Sequence, residues 1–229
     1  MNAAENRKTK TVPGGFLVTF EGIDGCGKSV QSTALAEQLR KEHYAVQTVR
    51  EPGGTAVSEK IRAIILDREH EEMAGQAELF LYEAARAQLM NEHLIPLLQE
   101  GTVIICDRFT DSTTAYQGYG RQLEADFVKA ANKYACRGRF PDITFILDIS
   151  WEESLRRRAI DKRAADRMEM EQKAFFQRVK GGYAAIAAAE PDRVHCLDGT
   201  RSIPELQNSI YTIIKEKIDR LRGADYETA

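Results

Sequence analysis

The chain has 229 residues, of which 43% are hydrophobic and 29% charged, and its formal net charge is −3 at pH 7. This length supports one substantial core with appended pieces, and the acidic balance argues against nucleic acid or an anionic membrane surface as a partner, because such partners favour a basic excess. The four cysteines have neither the spacing of a metal site nor the density of a disulfide scaffold, so we expect reduced thiols and a cytoplasmic protein.

Residues 1–15 are polar and lack the apolar core of a signal peptide. No later run reaches the roughly 18 apolar residues of a membrane-spanning helix, so no membrane partner is expected. We expect residues 1–15 to form a flexible leader, residues 16–222 to form one domain, and residues 223–229 to form a tail.

Short apolar runs alternate with longer amphipathic segments along the domain. The predicted strands are FLVTFEG, AVQTVRE, TVIICDR, ITFILDI and RVHCLD. The predicted helices span about 29–43, 56–68, 73–99, 122–137, 151–190 (which need not be continuous) and 203–222. Continuous apolarity is typical of parallel strands covered on both faces, and the alternation predicts an α/β fold with a five-stranded parallel sheet flanked by helices.

The first strand leads into GIDGCGKS at residues 22–29, which fits the phosphate-binding pattern G-x-x-x-x-G-K-[ST]. In such a loop, backbone N–H groups and a helix N-terminus surround phosphates, the lysine reaches the outer phosphates and the serine binds magnesium. An accidental glycine turn is the weaker interpretation, because the pattern lies between a predicted strand and a predicted helix. The expected ATP-binding residues of the loop are Gly22, Ile23, Asp24, Gly25, Cys26, Gly27, Lys28 and Ser29.

Cys26 stands at the variable centre of this loop. We expect it to be a small residue that leaves room for phosphates, with no chemistry of its own. An exposed thiol at this helix N-terminus would instead have a lowered pKa and react with alkylating agents.

The loop by itself leaves the reaction open, since switches, motors and kinases share it. A GTP switch needs N-K-x-D, whereas the nearest candidate, NKYA at residues 132–135, lacks the aspartate and lies in a predicted helix. A motor needs a longer chain. Arginines at strand ends and on helix faces favour a kinase.

Four motifs occur in a recognisable order: FEGIDGCGKS, REPGGT (50–55), YEAAR (82–86) and DRFTDSTTAYQG (107–118). They resemble those of bacterial thymidylate kinases, and the resemblance covers about residues 16–220. It implies a P-loop kinase fold with a lid at about residues 152–168, and transfer of the γ-phosphoryl of ATP to dTMP, giving dTDP for dTTP synthesis, with Mg²⁺ as cofactor. The alternatives are a kinase of another nucleoside monophosphate and a nucleotide-binding regulator without transfer activity.

Asp107 and Arg108 end a predicted buried strand, where an open α/β sheet binds its ligands, although a structural ion pair would also explain them. The resemblance implies that Arg108 contacts the thymine carbonyl and that Asp107 acts on magnesium through water. It also implies that Thr113 pairs with the base edge and that Tyr116 excludes the 2′-hydroxyl of ribonucleotides. Further acceptor-binding donors are Ser112 and Gln117.

Tyr82 and Arg86 lie four residues apart and share one helical face, which suits stacking on a base and a forked contact to a phosphate. A half-buried tyrosine beside a solvated arginine is the alternative. Arg50 is a second candidate for the acceptor phosphate, and Glu51 is expected to hold the arginines or magnesium waters. The resemblance implies that Asp24 binds the sugar 3′-hydroxyl.

The densest basic segment is RRRAIDKRAADR at residues 156–167. Successive helical residues point about 100° apart, so its first three arginines cannot all face one ligand. Arg163 and Arg167 have i, i+4 spacing and could act together. Because the phosphate loop contains no arginine, the resemblance favours a lid that supplies catalytic charge. The expected catalytic residues are Lys28, Arg108, Arg158, Arg163 and Arg167.

Two further expectations follow from the resemblance. Adenine should lie near the turn formed by Asp198, Gly199 and Thr200. Members of the family are usually homodimers, and the apolar faces of residues 56–66 and 79–90 could form the interface, although burial within the monomer explains these faces equally well.

Overall fold

The computed structural model describes residues 9–160 and 164–226. Five strands form one sheet in the order β2-β3-β1-β4-β5, and all of their pairings are parallel. The strands are β1 (Phe16–Glu21), β2 (Val46–Arg50), β3 (Val103–Asp107), β4 (Ile143–Asp148) and β5 (Val194–Asp198). The five-stranded parallel sheet predicted from the sequence is confirmed.

Helices cover both faces of this sheet. They are α1 (Lys28–Lys41), α2 (Ala56–Leu66), α3 (Gly75–Leu89), α4 (Ile95–Gln99), α5 (Thr110–Thr113), α6 (Ala125–Ala135), α7 (Trp151–Ile160), α8 (Lys173–Ala189) and α9 (Ile203–Tyr226). Helix α3 continues into α4 through a π-helical turn, Met90–Leu94, and α5 continues into a second one, Thr114–Gly120. The helical segment 110–120 was not predicted, and the segment 151–190 is broken.

The continuous apolarity of the strands follows from burial on both sides. In β1 all six residues are buried. Phe16, Val18 and Phe20 pack in a cluster that includes residues of α1 and α9, whereas Leu17 points to the opposite face and packs near α4. Alternate side chains of a strand point to opposite faces, so a sheet covered twice requires apolar residues at every position.

The ends of the domain differ from the expected boundaries. Val12 is fully buried in the core, and its N–H donates to the carbonyl of Gly101, while Lys10 bridges to Tyr44. The described part of the leader, residues 9–15, is therefore bound to the domain rather than flexible. At the other end α9 runs to Tyr226, through the expected boundary at residue 222.

The parallel arrangement brings the carboxyl ends of all strands to one edge of the sheet. Glu21, Arg50, Asp107, Asp148 and Asp198 are the last residues of the five strands. Ligands of open α/β sheets bind at this edge. Within the described residues, no helix is both long enough and apolar enough to span a membrane.

Candidate functional site

The loop after β1 has the backbone conformation that its glycines permit. Gly22, Gly25 and Gly27 have φ of 126°, 79° and 103°, which side chains of L-residues rarely allow. A Cβ on Gly22 would also lie 2.6 Å from the carbonyl oxygen of Leu147. The loop curls around Lys28, whose Nζ donates to the carbonyls of Gly22 (3.1 Å) and Ile23 (3.2 Å). This is the geometry of a phosphate-binding loop at the start of α1.

Cys26 points into the loop rather than to solvent. Its exposed fraction is 1%, and its Sγ lies 3.9 Å from the carbonyl oxygen of Glu21 and 3.7 Å from Nζ of Lys28. Alkylation requires access to the thiol. The structure therefore favours Cys26 as a small packing residue.

The two residues expected to bind magnesium are brought together. Oγ of Ser29 donates to Oδ2 of Asp107 over 2.6 Å. Residues 9–160 and 164–226 contain no cluster of three His, Cys, Asp or Glu side chains that could hold a metal ion. Mg²⁺ in phosphoryl-transfer sites needs only one or two protein oxygens, because substrate phosphates and waters complete its shell. The hydroxyl and carboxylate present fit this ion.

A cavity opens beside the phosphate-binding loop. Nine of the residues expected to bind the acceptor line it: Asp24, Glu51, Tyr82, Arg86, Arg108, Ser112, Thr113, Tyr116 and Gln117. The lining also includes Pro52, Arg62, Leu66, Phe109, Asp166 and Met168, which sequence analysis missed. Charged donors and aromatic rings thus converge on one concave site, as in small-molecule binding sites.

Arg108 connects this cavity to the phosphate-binding loop. Its backbone has φ of 71°, an uncommon conformation for a side chain of this size. Its guanidinium donates to Asp24 (2.7 Å), to the carbonyl of Gly22 (3.0 Å) and to Ser112 (3.2 Å), and lies over the ring of Tyr116. Burial opposes ionisation of Asp24, but the charges of Arg108 and Lys28 prevail and lower its pKa to about 2.

Glu21 lies beneath the same turn, fully buried at the end of β1. It accepts hydrogen bonds from the N–H of Phe109 (2.7 Å), the hydroxyl of Ser112 and the hydroxyl of Tyr183 (2.9 Å). Burial, with a contribution from the charge of Asp111, raises the pKa of Glu21 to about 7. Sequence analysis assigned it no role, although a carboxylate that ends an apolar strand is a usable signal.

Arg86 lies deeper in the cavity wall and is 2% exposed. It donates to Glu51 (2.8 Å), Glu83 (2.8 Å), Asn132 (2.8 Å) and Thr113 (2.9 Å). Burial raises the pKa of Glu51 to about 7 against the opposing effect of Arg86. The expectation that Glu51 holds an arginine is confirmed, whereas Glu83 and Asn132 were missed because only the fold brings them to Arg86.

Arg50 does not reach the cavity. It pairs with Glu59 at 2.9 Å and donates to the carbonyl of Pro52, and it is absent from the described residues that line the cavity. Arg62 of α2 takes that place and donates to the same carbonyl at 2.9 Å. Its position could not be read from the sequence, because the inward face of α2 depends on how the helix packs.

The first arginines of the predicted lid lie on different faces of α7, as the 100° rotation per helical residue requires. Arg156 is exposed and pairs with Glu153, whereas Arg158 extends beside Gly25 and over the ring of Trp151. Nη1 of Arg158 donates to the carbonyl of Glu169, but its Nε and Nη2 are buried and have no hydrogen-bond partner among residues 9–160 and 164–226. Arg163 lies outside the described residues.

Arg167 is not placed as expected. Residues 164–166, which precede it, are not helical, and the expected pairing with Arg163 involves a residue outside the described ones. Arg167 is 5% exposed and donates to Glu78 at 2.6 Å and to the carbonyl of Ile65 at 2.7 Å. Its guanidinium binds α2 through the carbonyl of Ile65 and α3 through the buried carboxylate of Glu78, and not the phosphate-binding loop.

The turn expected near adenine lies next to the phosphate-binding loop. Arg157 donates to the carbonyl of Gly199 at 2.9 Å and to that of Gly25 at 3.4 Å. The hydroxyl and N–H of Thr200 both donate to Asp198, which closes the turn. The fold thus joins residues 198–200 to the loop through α7.

Comparisons with known proteins agree with this arrangement. The family model described as thymidylate kinase matches residues 20–210. A thymidylate kinase of Chlorobaculum parvum is 44% identical over 208 residues, which is 87% of this chain and 95% of that protein. One of Caldanaerobacter subterraneus is 43% identical over 210 residues, covering 92% of this chain and 98% of that protein.

A solved structure gives the same result at the level of the fold. The crystal structure of thymidylate kinase from Ehrlichia chaffeensis superposes with a TM-score of 0.72 at 31% sequence identity. The superposition covers 89% of this chain and 99% of that chain.

Proposed function

Because the chain belongs to the thymidylate kinase family, we propose that its cavity binds dTMP beside the phosphate-binding loop, which binds ATP. The chain is a kinase that transfers the γ-phosphoryl of ATP to dTMP and produces dTDP. The observation that carries the site assignment is the position of Arg108, which lines the cavity and also binds the loop.

The orientation of dTMP follows from the two buried arginines. Arg108 contacts Gly22 and Asp24 of the loop, so its side of the cavity is where the acceptor phosphate meets the γ-phosphoryl. Arg86 is already bound by the carboxyl groups of Glu51 and Glu83, which occupy its donors and leave little for a phosphate. The phosphate therefore faces Arg108 and the base faces Arg86, the reverse of the orientation expected from the sequence.

The remaining side chains complete this arrangement. Thr113 lies beside Arg86 and faces the base, and the ring of Tyr82 offers a stacking surface. Tyr116, held by Arg108, limits space at the sugar, and Asp24 faces its 3′-hydroxyl. The acceptor phosphate is itself the nucleophile, so no side chain has to act as a general base.

Arg158 supplies charge to the transferred γ-phosphoryl together with Lys28. The stem of its side chain lies beside Gly25 of the loop, whereas Arg167 is paired with Glu78. In phosphoryl transfer, charge develops on the oxygens of the moving group, and an arginine at this position stabilises it.

Ser29 and Asp107 hold Mg²⁺, Asp107 through water. When bound, the ion neutralises charge on the outer phosphates of ATP. The contact between the two side chains supports this assignment, because it brings a hydroxyl and a carboxylate together at the start of α1, next to the phosphate-binding loop.

The chain forms a homodimer through the exposed apolar residues of α2 and α3, and it works in the cytoplasm. Val57, Ile64 and Phe80 are large, apolar and exposed on these helices. The cysteines of the chain are all free, which suits a reducing compartment.

The orientation is tested by comparing dTMP with thymidine, which lacks the phosphate. Arg108→Ala should weaken dTMP binding about 100-fold, as expected for loss of a charge-assisted contact, and leave thymidine inhibition almost unchanged. Arg86→Lys, which keeps the charge but loses the fork, should weaken both ligands. If Arg108→Ala weakens both ligands equally, the orientation is wrong. Assays of dTMP, dUMP and other nucleoside monophosphates with ATP measure acceptor choice.

A further inference from the structure

The turn that carries Arg108 needs an external support. Arg108 has φ of 71°, and a non-glycine residue in this conformation persists only when its surroundings hold it. The N–H of Arg108 donates to the carbonyl of Phe20, and the next N–H, of Phe109, donates to Oε1 of Glu21. Glu21 is thus the side chain that fixes the backbone immediately after Arg108.

The second oxygen of Glu21 acts on the guanidinium of Arg108 through Ser112. The hydroxyl of Ser112 donates to Oε2 of Glu21, and its oxygen accepts from Nη1 of Arg108. Tyr183 donates to the same carboxylate oxygen. An ionised Glu21 accepts all three bonds, so the oxygen of Ser112 remains free to accept from Arg108.

A protonated Glu21 has one donor of its own and no longer accepts from every neighbour. It must donate to Ser112 or to Tyr183, and donation to Ser112 places a second donor on the oxygen that accepts from Arg108, which weakens that bond. The charged and titratable groups that act on Glu21 are Asp111, Arg108, Tyr183, Glu51 and Cys106.

We propose that Glu21 is a positioning residue that fixes the Arg108 turn and, through Ser112, sets how firmly Arg108 is held for the acceptor phosphate. The inference rests on the proposed function, because it assumes that Arg108 binds that phosphate. Glu21 contacts neither substrate itself. It therefore controls the affinity for dTMP and leaves that for ATP unchanged.

The test compares Glu21→Gln with the wild type as pH varies. The amide keeps an acceptor for the N–H of Phe109 but donates to Ser112 at every pH, as protonated Glu21 does. At pH 8.5 the variant should raise KM for dTMP about tenfold, the effect of a hydrogen bond to a charged group. At pH 6 the ratio of the two KM values should fall to about 1, because burial raises the pKa of Glu21 to about 7 and the wild type is then protonated. The ionisation of dTMP cancels in this ratio.

Matched variants separate this role from general destabilisation. Glu190→Gln changes an exposed carboxylate paired with Arg193, and its KM for dTMP should equal that of the wild type from pH 6 to pH 8.5. In a Ser112→Ala background, Glu21→Gln should add no pH-dependent effect. If Glu21→Gln fails to fold, Asp111→Asn tests the same point, since removing the charge of Asp111 should move the midpoint of the KM profile to lower pH.

A Glu21→Gln ratio that stays constant with pH, or an equal rise in KM for ATP, overturns the inference. Arg108→Ala separates its failure from failure of the proposed function. If Arg108→Ala weakens dTMP while the Glu21→Gln ratio stays constant, only the inference is wrong. If Arg108→Ala leaves dTMP binding unchanged, the assumed site for the phosphate is wrong.

Discussion

At the scale of single residues, Arg158 is the side chain proposed to stabilise the transferred γ-phosphoryl. Two of its guanidinium nitrogens are buried without a partner, and such groups are costly to leave unpaired. The side chain is held against the ring of Trp151 at 5.0 Å, beside the phosphate-binding loop. The position of this side chain next to the loop supports the role proposed for Arg158 in phosphoryl transfer.

Arg158→Ala should therefore lower kcat by about 10³-fold, the lower end of the effect of an arginine in phosphoryl transfer, with a much smaller change in KM for ATP. Steady-state kinetics at saturating dTMP measures it. Arg156→Ala is the matched control, since that side chain is 63% exposed and pairs with Glu153, and it should leave kcat unchanged. A normal kcat for Arg158→Ala would show that another residue supplies the charge.

The buried carboxylate of Glu51 makes stability depend on pH. Its pKa is about 7 in the folded protein and 4.5 ordinarily, so between these values the folded state keeps a proton that the unfolded state releases. The free energy of unfolding should therefore fall as pH rises from 5 to 8. Over this pH range the free energy of unfolding of Glu51→Gln should increase, relative to that of the wild type, by up to about 3 kcal/mol.

Urea unfolding at pH 5 and pH 8 measures this difference. Glu59→Gln is the control, because the pKa of the exposed Glu59 is lowered, chiefly by the N–H of Gly54, and it does not titrate in this window. Its stability should change in parallel with that of the wild type. If the free energy of unfolding of Glu51→Gln also changes with pH in parallel with that of the wild type, Glu51 is not the group that titrates.

At the scale of elements, the carboxylate of Glu78 on α3 joins the lid segment to the helical segment 110–120. Glu78 of α3 is fully buried and accepts from Arg167 (2.6 Å), Arg121 (2.9 Å) and Gln117 (2.7 Å). Gln117 lines the acceptor cavity, as do Asp166 and Met168 on either side of Arg167. The lid segment and the cavity wall therefore share a buried ionic network.

Arg167→Met should disturb the acceptor site rather than the transfer step. We expect a rise of about tenfold in KM for dTMP and a fall in Tm of about 4–8 °C, because a buried ion pair is broken while Arg121 still compensates Glu78. The kcat at saturating substrates should stay within a few fold. A large loss of kcat at normal KM would instead support the catalytic role expected from the sequence.

The strands could be predicted from the sequence more accurately than the side-chain pairs that join distant parts of the chain. Buried parallel strands are continuous apolar runs, and the motifs at strand ends and in α3 contain nine of the residues that line the cavity. The pairing of Arg167 with Glu78 spans 89 positions and that of Arg86 with Asn132 spans 46, and no local pattern encodes either. The inward position of Arg62 likewise depends on the packing of α2.

The whole molecule presents an apolar face that the monomer leaves uncovered. Val57, Ile64, Phe80 and Phe127 are exposed, and the rings of Phe80 and Phe127 meet edge to face at 5.9 Å. Large exposed apolar patches mark interaction sites. Contacts between two copies would bury these side chains, which favours an interface over burial within the monomer as the explanation of the apolar faces of α2 and α3.

Phe80→Asp should convert the proposed dimer to a monomer, because it places a charge in the proposed apolar interface. Sedimentation velocity measures the change in mass, and circular dichroism checks that the fold is kept. Leu221→Asp, at an exposed apolar position on α9, is the matched control and should remain dimeric. If Phe80→Asp sediments like the wild type, the interface lies elsewhere.

The position of β1 has a consequence for how the protein loses activity on heating. This strand pairs with both β3 and β4, and the phosphate-binding loop, the Arg108 turn and the start of α7 follow the ends of these three strands. Melting of β1 would break both pairings and separate the ATP side from the acceptor side at once. Catalysis and ordered secondary structure should therefore vanish in one cooperative transition, without a partly melted species that still binds one nucleotide.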